Sequence, residues 1–272
     1  MIFAIDIGNT HTTFGLFRGR RLVRTFAVGT QAWRTGHPSA SGLGIFARLS
    51  ASNRSAVRRA RGALICSVVP WATPKVSKAL RALGVRRVKV VGRTVKVPLK
   101  NRYRYPRQVG QDRLVGAYAA LMTFKRDCIV CDFGTAITID IVKKIRARSP
   151  PPPAPRPSPL GEYLGGVIAP GLGISLDALA SRTALLPKVE LKKPPELLGR
   201  DTANSIRSGV LYGTAALCDG LVLALKRRYA PNATVVATGG SSRLIARHAR
   251  TIARLKPHLV LEGLRLLFLK SE

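Results

Sequence analysis

Acidic residues are scarce in this chain. Only 13 Asp and Glu stand against 46 Lys and Arg over 272 residues, a formal net charge of +33. The surplus predicts nonspecific attraction to polyanions. Its dispersal, in small knots at 18–21 (RGRR), 58–61 (RRAR) and 226–228 (KRR), reads first as a solvated basic surface. Sequence-reading devices for nucleic acid are missing as well: there is no helix-turn-helix, zinc or aromatic RNA signature. Long uncharged apolar runs are lacking, so no membrane span or membrane partner is expected. The start has no basic n-region and no small-residue cleavage pattern, so no secretory signal is expected and the cytosol is the predicted location. Cysteine is sparse. Of Cys66, Cys128, Cys131 and Cys218, only CIVC has metal-like or redox-like spacing. It lies in a strand-like run where positions three apart face opposite sides, and no second pair or nearby His completes a site. Packing is therefore its expected role. Three nucleotide devices are also absent: the GxxxxGK(S/T) loop, GxGxxG after a strand, and the kinase HRD set that would give meaning to the DFG at 132–134.

What the chain does have is 46% hydrophobic residues, ample for a buried core, and an opening MIFAIDIGNTHTTFGLF. An apolar run delivers Asp6 into a Gly8-Asn9-Thr10 turn, and a β-branched run leaves it. Glycine lets backbone approach an anion, the Asn and Thr add short donors, and the Asp can hold water or a metal ion. CIVCDFGTAITIDIV repeats the pattern at Asp132, and TVVATGG ends another strand in Gly239 and Gly240. One glycine turn after a strand is ordinary structure. Three in this order, the first two with carboxylates, predict a duplicated α/β architecture whose halves face each other across a cleft.

Between these turns the spacing predicts further elements. GLFRGRRLVRTFAV reads as a hairpin turning at Arg18 to Arg21, and residues 30–62 as a helix with loops. ALICSVVP is a strand ended by Pro70, followed by a short helix with Thr73 as N-cap and Pro74 at its first position, then the strand VRRVKVV. The polar loop NRYRYPRQVGQDR runs into the helix LVGAYAALMTF, which puts Asp112 and Arg113 at a helix start. Residues 146–159, RARSPPPPAPRPSP, read as an exposed polyproline extension of a hairpin loop. Beyond GGVIAPG and the helix SLDALASRTALL comes a long helical region from Asp201. Gly209, Gly213 and Gly220 inside it predict close helix contacts, and Asp201 suits a capping position. SRLIARHARTIARL reads as an amphipathic basic helix and HLVLEGLRLLFL as a tail. Five of the few carboxylates, Asp6, Asp112, Asp132, Asp140 and Asp201, fall in motif segments. Asp112 beside Arg113 could take the proton of an alcohol in phosphoryl transfer.

As a set, DIGNT, SVVP, YRYPRQVGQDR, DFGTAITID, GEYLGGVIAPG, GRDTANSIRSGVLYG, ATGG and LEGL resemble the type III pantothenate kinase family, in order and over nearly the whole chain. The resemblance implies two duplicated actin-like (ribonuclease H-like) α/β domains, here 1–110 and 111–272, with an ATP cleft between them. It also implies a homodimer. The implied reaction carries the γ-phosphoryl of ATP to pantothenate, the first step of coenzyme A synthesis, with Mg²⁺ and a monovalent cation, K⁺ or NH₄⁺. Residue by residue, it puts the ATP phosphates on Asp6, Ile7, Gly8, Asn9, Thr10, His11, Thr12 and Thr13, with Asp6 near Mg²⁺. Thr135, Gly239 and Gly240 also fall to ATP, and Asp132 to the monovalent cation. Asp112 becomes the general base. Tyr103, Gly110, Gln111, Asp112, Arg113 and Thr202 would contact pantothenate. The chain departs from the family's Tyr-x-Asn-Pro by carrying Tyr105 between Arg104 and Pro106, and by the Pro-rich insertion. The rival expectations are a nucleic-acid-associated accessory factor on the same scaffold, and a kinase of a different small alcohol.

Overall fold

The computed structural model describes residues 1–34, 55, 57–145 and 159–272. The helix-with-loops reading of 30–62 and the polyproline reading therefore fall largely outside the described residues. The described chain divides into two compact units. The first comprises Met1–Pro98, Tyr105–Ala119 and Val260–Glu272; the second comprises Leu99–Arg104 and Ala120–Leu259. The chain crosses between them more than once, so neither unit is a continuous stretch ending at residue 110.

In the first unit, β1 (Ile2–Ile7), β2 (His11–Arg18), β3 (Arg21–Gly29), β4 (Gly62–Ser67) and β5 (Val88–Val90) form a sheet of order β3-β2-β1-β4-β5. β1 lies between β2 and β4 and is covered on both faces. That is why the strand is continuously apolar from Ile2 to Ile5, rather than alternating, before Asp6. β3 is an edge strand carrying Arg21 and Arg24, charges that discourage further pairing. Register is pinned by aromatic stacking: Phe14 opposes Phe26 with ring centroids 4.6 Å apart, and Phe3 stacks on Phe14 at 5.6 Å.

The second unit repeats this topology. After β6 (Leu99–Asn101) come β7 (Cys128–Phe133), β8 (Ala136–Lys144), β9 (Gly161–Pro170), β10 (Thr234–Thr238) and β11 (Arg254–Leu255), in the order β11-β10-β7-β8-β9-β6. Each unit has an antiparallel meander whose first strand pairs in parallel with a fourth, and the fourth with a fifth. The duplication predicted from the two Asp-Gly turns is thus a property of the whole sheet. β8 and β9 pair antiparallel up to Lys144 and Gly161, so the Pro-rich insertion joins the two strands of a hairpin.

The α-helices with described bounds are α1 (Ala72–Ala82), α2 (Gln111–Phe124), α3 (Leu172–Arg182), α4 (Thr202–Tyr229), α5 (Ser242–Ile245) and α6 (Leu259–Lys270). Several expectations are corrected. Thr73 does not cap α1. It lies inside the helix, its hydroxyl donating to Ser67 Oγ at 2.8 Å and to the Val69 carbonyl at 3.2 Å, and Trp71 occupies the cap without a side-chain bond. Gly209, Gly213 and Gly220 make no close contact among the described residues, where nothing lies within 4 Å of where their side chains would be. The basic helix after Gly240 stops at Ile245. The Asp219 carboxylate takes the backbone N–H groups of Arg250 at 2.8 Å and Thr251 at 2.9 Å and the Thr251 hydroxyl at 2.7 Å, which gives the chain an alternative to helical bonding. Burial pushes the Asp219 carboxyl up, but these donors outweigh it and hold it below the usual range. The supposed tail is α6. It buries Leu261, Leu264, Leu267 and Phe268, each contributing roughly 1.5–3 kcal/mol of hydrophobic stabilisation, and Phe268 fits against the bare Cα of Gly62. Asp201 does cap α4, accepting the Asn204 N–H at 2.8 Å, and that bond keeps its carboxyl below the usual range.

By length and composition alone α4 could cross a membrane. Its Ile206, Leu211, Cys218 and Val222 are instead part of the second unit's core. All four cysteines are free and buried. Cys128 is pushed up to about 12, chiefly by burial and then by Asp127. Cys131 is raised by its contact with Cys218, 3.9 Å between sulphurs, and by burial.

Candidate active site

The first turn closes β1 onto β2. Gly8 N–H bonds the His11 carbonyl at 3.0 Å, and a side chain at Gly8 would lie 3.2 Å from that oxygen, a tight fit that glycine relieves. Thr30, at the end of β3, braces the turn. Its hydroxyl donates to the Gly8 carbonyl at 2.7 Å and shares a hydrogen bond with the Thr12 hydroxyl at 3.1 Å, while its N–H bonds the Thr10 carbonyl at 2.8 Å. Ile7 and Thr12 are consequently buried and can offer a ligand only backbone. Asn9, Thr10 and His11 are exposed, and Asp6, Gly8 and Thr13 half-buried. Thr30 was not foreseen, because nothing in its local sequence links it to a turn twenty-two residues away.

Asp6 opposes Cys66 in the β1–β4 pairing. Burial raises the Cys66 thiol well above its ordinary value, and the negative charges of Asp6 and Asp112 raise it further. Both carboxylates therefore act on one point near the ends of β1 and β4, although they come from distant parts of the chain. Asp112 is placed there by α2, in whose first turn it lies. Its Oδ1 accepts the Arg113 N–H at 2.8 Å and sits so close to Gly110 that any side chain there would collide with it. Gln111 packs beside Gly92, which has φ +81°, with its amide 3.1 Å from where a side chain on Gly92 would begin. Gly110, Gln111, Asp112 and Arg113 are thus one preformed corner of the first unit.

The other predicted residues belong to the second unit. Asp132 ends β7, and Gly239 lies against it with φ +90°. A side chain at Gly239 would collide with the Asp132 carboxylate and come within 2.7 Å of the Phe133 backbone. Ser241 N–H bonds the Phe133 carbonyl at 3.1 Å, and the Ser242 hydroxyl bonds the Gly239 carbonyl at 2.6 Å. The Gly134-Thr135 turn is approached from its other side by Gly171, where a side chain would meet the Thr135 and Gly134 carbonyls. Gly171 was missed by sequence reasoning; its signal is the Pro170-Gly171 step leaving β9. Thr135 and Thr202 are exposed, Gly239 and Gly240 partly or fully accessible, and Tyr103 is half-buried with its N–H on Asn101 Oδ1 at 3.0 Å. Tyr105, the departure from the family pattern, is 60% exposed.

Two sheets of matching topology, each opening its first strand into an Asp-Gly turn, define the duplicated actin-like α/β fold. Comparison with solved structures agrees. A Campylobacter jejuni protein assigned to the Baf family of transcriptional activators has a TM-score of 0.55 at 18% identity, covering 99% of this chain and 98% of that one. MreB5 of Spiroplasma citri bound to ADP gives 0.50 at 12% identity, covering 97% and 95%. At these identities the likeness is one of fold alone. The family model described as type III pantothenate kinase matches residues 2–149 and 157–224. A type III pantothenate kinase from Syntrophotalea carbinolica is 37% identical over 272 residues, all of both chains. This chain belongs to the type III pantothenate kinase family.

Proposed function

We propose that this protein phosphorylates the primary hydroxyl of pantothenate with ATP, giving 4′-phosphopantothenate, the first step of coenzyme A synthesis. The observation that carries the reading is the placement of Asp6 opposite the buried Cys66 at the glycine turn and of Asp112 in the first turn of α2, its Oδ1 held by the Arg113 N–H, with the charges of both carboxylates bearing on Cys66. A carboxylate beside a phosphate-sized turn suits metal and donor; a second one nearby suits the acceptor's proton. The ATP phosphates are assigned to Asp6 through Thr13, with Thr135, Gly239 and Gly240 contributing to ATP. Pantothenate is assigned to Tyr103, Gly110, Gln111, Arg113 and Thr202.

In the reaction the hydroxyl oxygen bonds to the γ-phosphorus as the bond from that phosphorus to the β-phosphate oxygen breaks. The hydroxyl proton passes to the Asp112 carboxylate. The transition state is loose, so alignment and charge neutralisation carry most of the catalysis, and the base acts late. Magnesium, when bound, neutralises phosphate charge. Asp6 would hold it, and Asp132 would hold K⁺ or NH₄⁺. The donors at both positions are oxygens, as such cations require.

Purified protein with Mg²⁺, ATP and pantothenate is expected to form 4′-phosphopantothenate, faster in K⁺ than in Na⁺, as read by mass spectrometry. ATP use with another alcohol and none with pantothenate would overturn the choice of substrate. About 0.15 M KCl in the assay also screens nonspecific polyanion attraction arising from the +33 charge. The accessory-factor reading is not favoured, since the family matches over the whole chain. Four buried free thiols suit the reducing cytosol.

A homodimer is supported by the exposed face of α4, where Gly209, Gly213 and Gly220 lie near Leu217, 39% exposed, and Leu223, 55% exposed. Such an apolar, small-residue face suits a second copy of the chain. Wild-type protein should sediment as a dimer and Gly213→Arg as a folded monomer; a monomeric wild type would remove the proposal.

A further inference from the structure

Asp140 is the one buried acidic residue among the described residues, 2% exposed, and phosphoryl transfer assigns it nothing. It is not idle. Thr138 donates its hydroxyl to Oδ2 at 3.0 Å, and Tyr163, fully buried, donates its own to Oδ1 at 2.7 Å. A carboxylate gives each hydroxyl a separate acceptor oxygen, which an apolar residue could not do.

The pair sits at an irregularity. Between β8 and β9 the register slips: Ile141 opposes Gly165 while Val142 opposes Tyr163, which leaves Leu164 as the extra residue of a bulge. Asp140 opposes Gly166, whose missing side chain makes room for the carboxylate. The next glycine outward, Gly165, has φ +124°, and a side chain there would lie 3.3 Å from the Tyr103 ring. The ring therefore rests over bare backbone at the bulge. Tyr163 also holds the strand that carries that ring: Asn101 of β6 pairs with Tyr163, and the Tyr163 carbonyl accepts the Arg102 N–H at 2.8 Å. One residue thus ties together the segment bearing Tyr103 and the bulge that seats it, and Asp140 fixes that residue's far end.

We propose that Asp140 and Tyr163 are positioning residues for Tyr103: their hydrogen bond fixes the β9 bulge on which the Tyr103 ring is seated, and through it sets the affinity for pantothenate. This rests on the assignment of Tyr103 to pantothenate made above. Bulges of this kind re-aim a neighbouring side chain, and Gly165 takes its φ of +124° without strain, so it is the hydrogen bonds around the bulge that fix its shape.

The test is steady-state kinetics of the full chain. Tyr163→Phe removes one oxygen and keeps the ring; the pantothenate KM should rise about fivefold, with kcat and the ATP KM within about twofold. Asp140→Asn keeps an acceptor oxygen and should raise the KM less than Asp140→Ala does. In a Tyr103→Ala background, which should itself raise the pantothenate KM, Tyr163→Phe should add nothing, because the two act as one unit. Loss of general stability would not vanish in that background. An unchanged KM in Tyr163→Phe, or effects that multiply with Tyr103→Ala, would overturn the inference while leaving Tyr103 a substrate contact. An unchanged KM in Tyr103→Ala would remove the substrate assignment and the inference with it. If Tyr163→Phe does not fold, Asp140→Asn decides by the same two comparisons.

Discussion

Asp112→Asn is expected to lower turnover by about 10²- to 10⁴-fold, the range a positioned general base supplies, while ATP binding and thermal stability stay near wild type. The separation of effects follows from the geometry. Asp112 Oδ1 accepts the Arg113 N–H at 2.8 Å, and an asparagine carbonyl oxygen can keep that bond. Asn also matches Asp in volume, so the tight fit against Gly110 survives. What is lost is the negative charge beside Asp6 and Cys66, and with it the ability to take a proton. One internal consequence is measurable. Asp112 contributes to raising the Cys66 thiol, so the substitution should lower the thiol's pKa somewhat, without bringing it to the ordinary range, because burial is the larger cause. Turnover within about tenfold of wild type would take Asp112 out of the base role and leave it a contact to substrate.

How far the sequence revealed this site depended on how local each cause was. Strands covered on both faces announce themselves as apolar runs, so β1, β7 and β10 and the turns they end in were readable from composition alone. The duplication was readable because DIGNT and DFGTA keep the same local chemistry. Causes that act across the fold left no local trace. The segment after Gly240 looks helical throughout in sequence, yet its helix stops at Ile245 and the N–H groups of Arg250 and Thr251 go instead to Asp219, which lies thirty-one residues before Arg250. The C-terminal segment is so uniformly apolar that it shows no clear period, and its helical form follows from packing against Gly15, Gly62 and Val115 of the first unit. Glycines mislead in both directions: those of α4 were expected to admit a neighbour and face open space among the described residues, whereas Gly171, read only as the end of a strand and turn, sits against the Thr135 backbone. A glycine's use is decided by what stands opposite it, which the residue itself does not encode.

Gly239→Ala is the second large effect, and its neighbour Gly240 supplies the control. At Gly239 φ is +90°, and a methyl group would run into the Asp132 carboxylate while coming 2.7 and 2.8 Å from the Phe133 backbone carbon and nitrogen. The carboxylate can swing aside but the Phe133 atoms are backbone and cannot, so the turn after β10 must move off the turn after β7. Backbone strain at such a position costs about 1–3 kcal/mol before any clash is counted. For a chain of this size each 1 kcal/mol corresponds to roughly 2–4 °C in Tm, so a fall of about 5 °C or more is expected. The displaced carboxylate is the one assigned to the monovalent cation, so K⁺ stimulation should weaken and the ATP KM should rise even in protein that is fully folded at the assay temperature. Gly240 has nothing within 4 Å of where a side chain on it would begin, and no left-handed φ. Gly240→Ala should therefore keep the wild-type Tm, and a rise in its ATP KM alone would mean that the nucleotide itself approaches that backbone. Wild-type Tm and wild-type K⁺ stimulation in Gly239→Ala would show that the Gly239 turn does not hold Asp132 in place, and Gly239 would lose its part in the site.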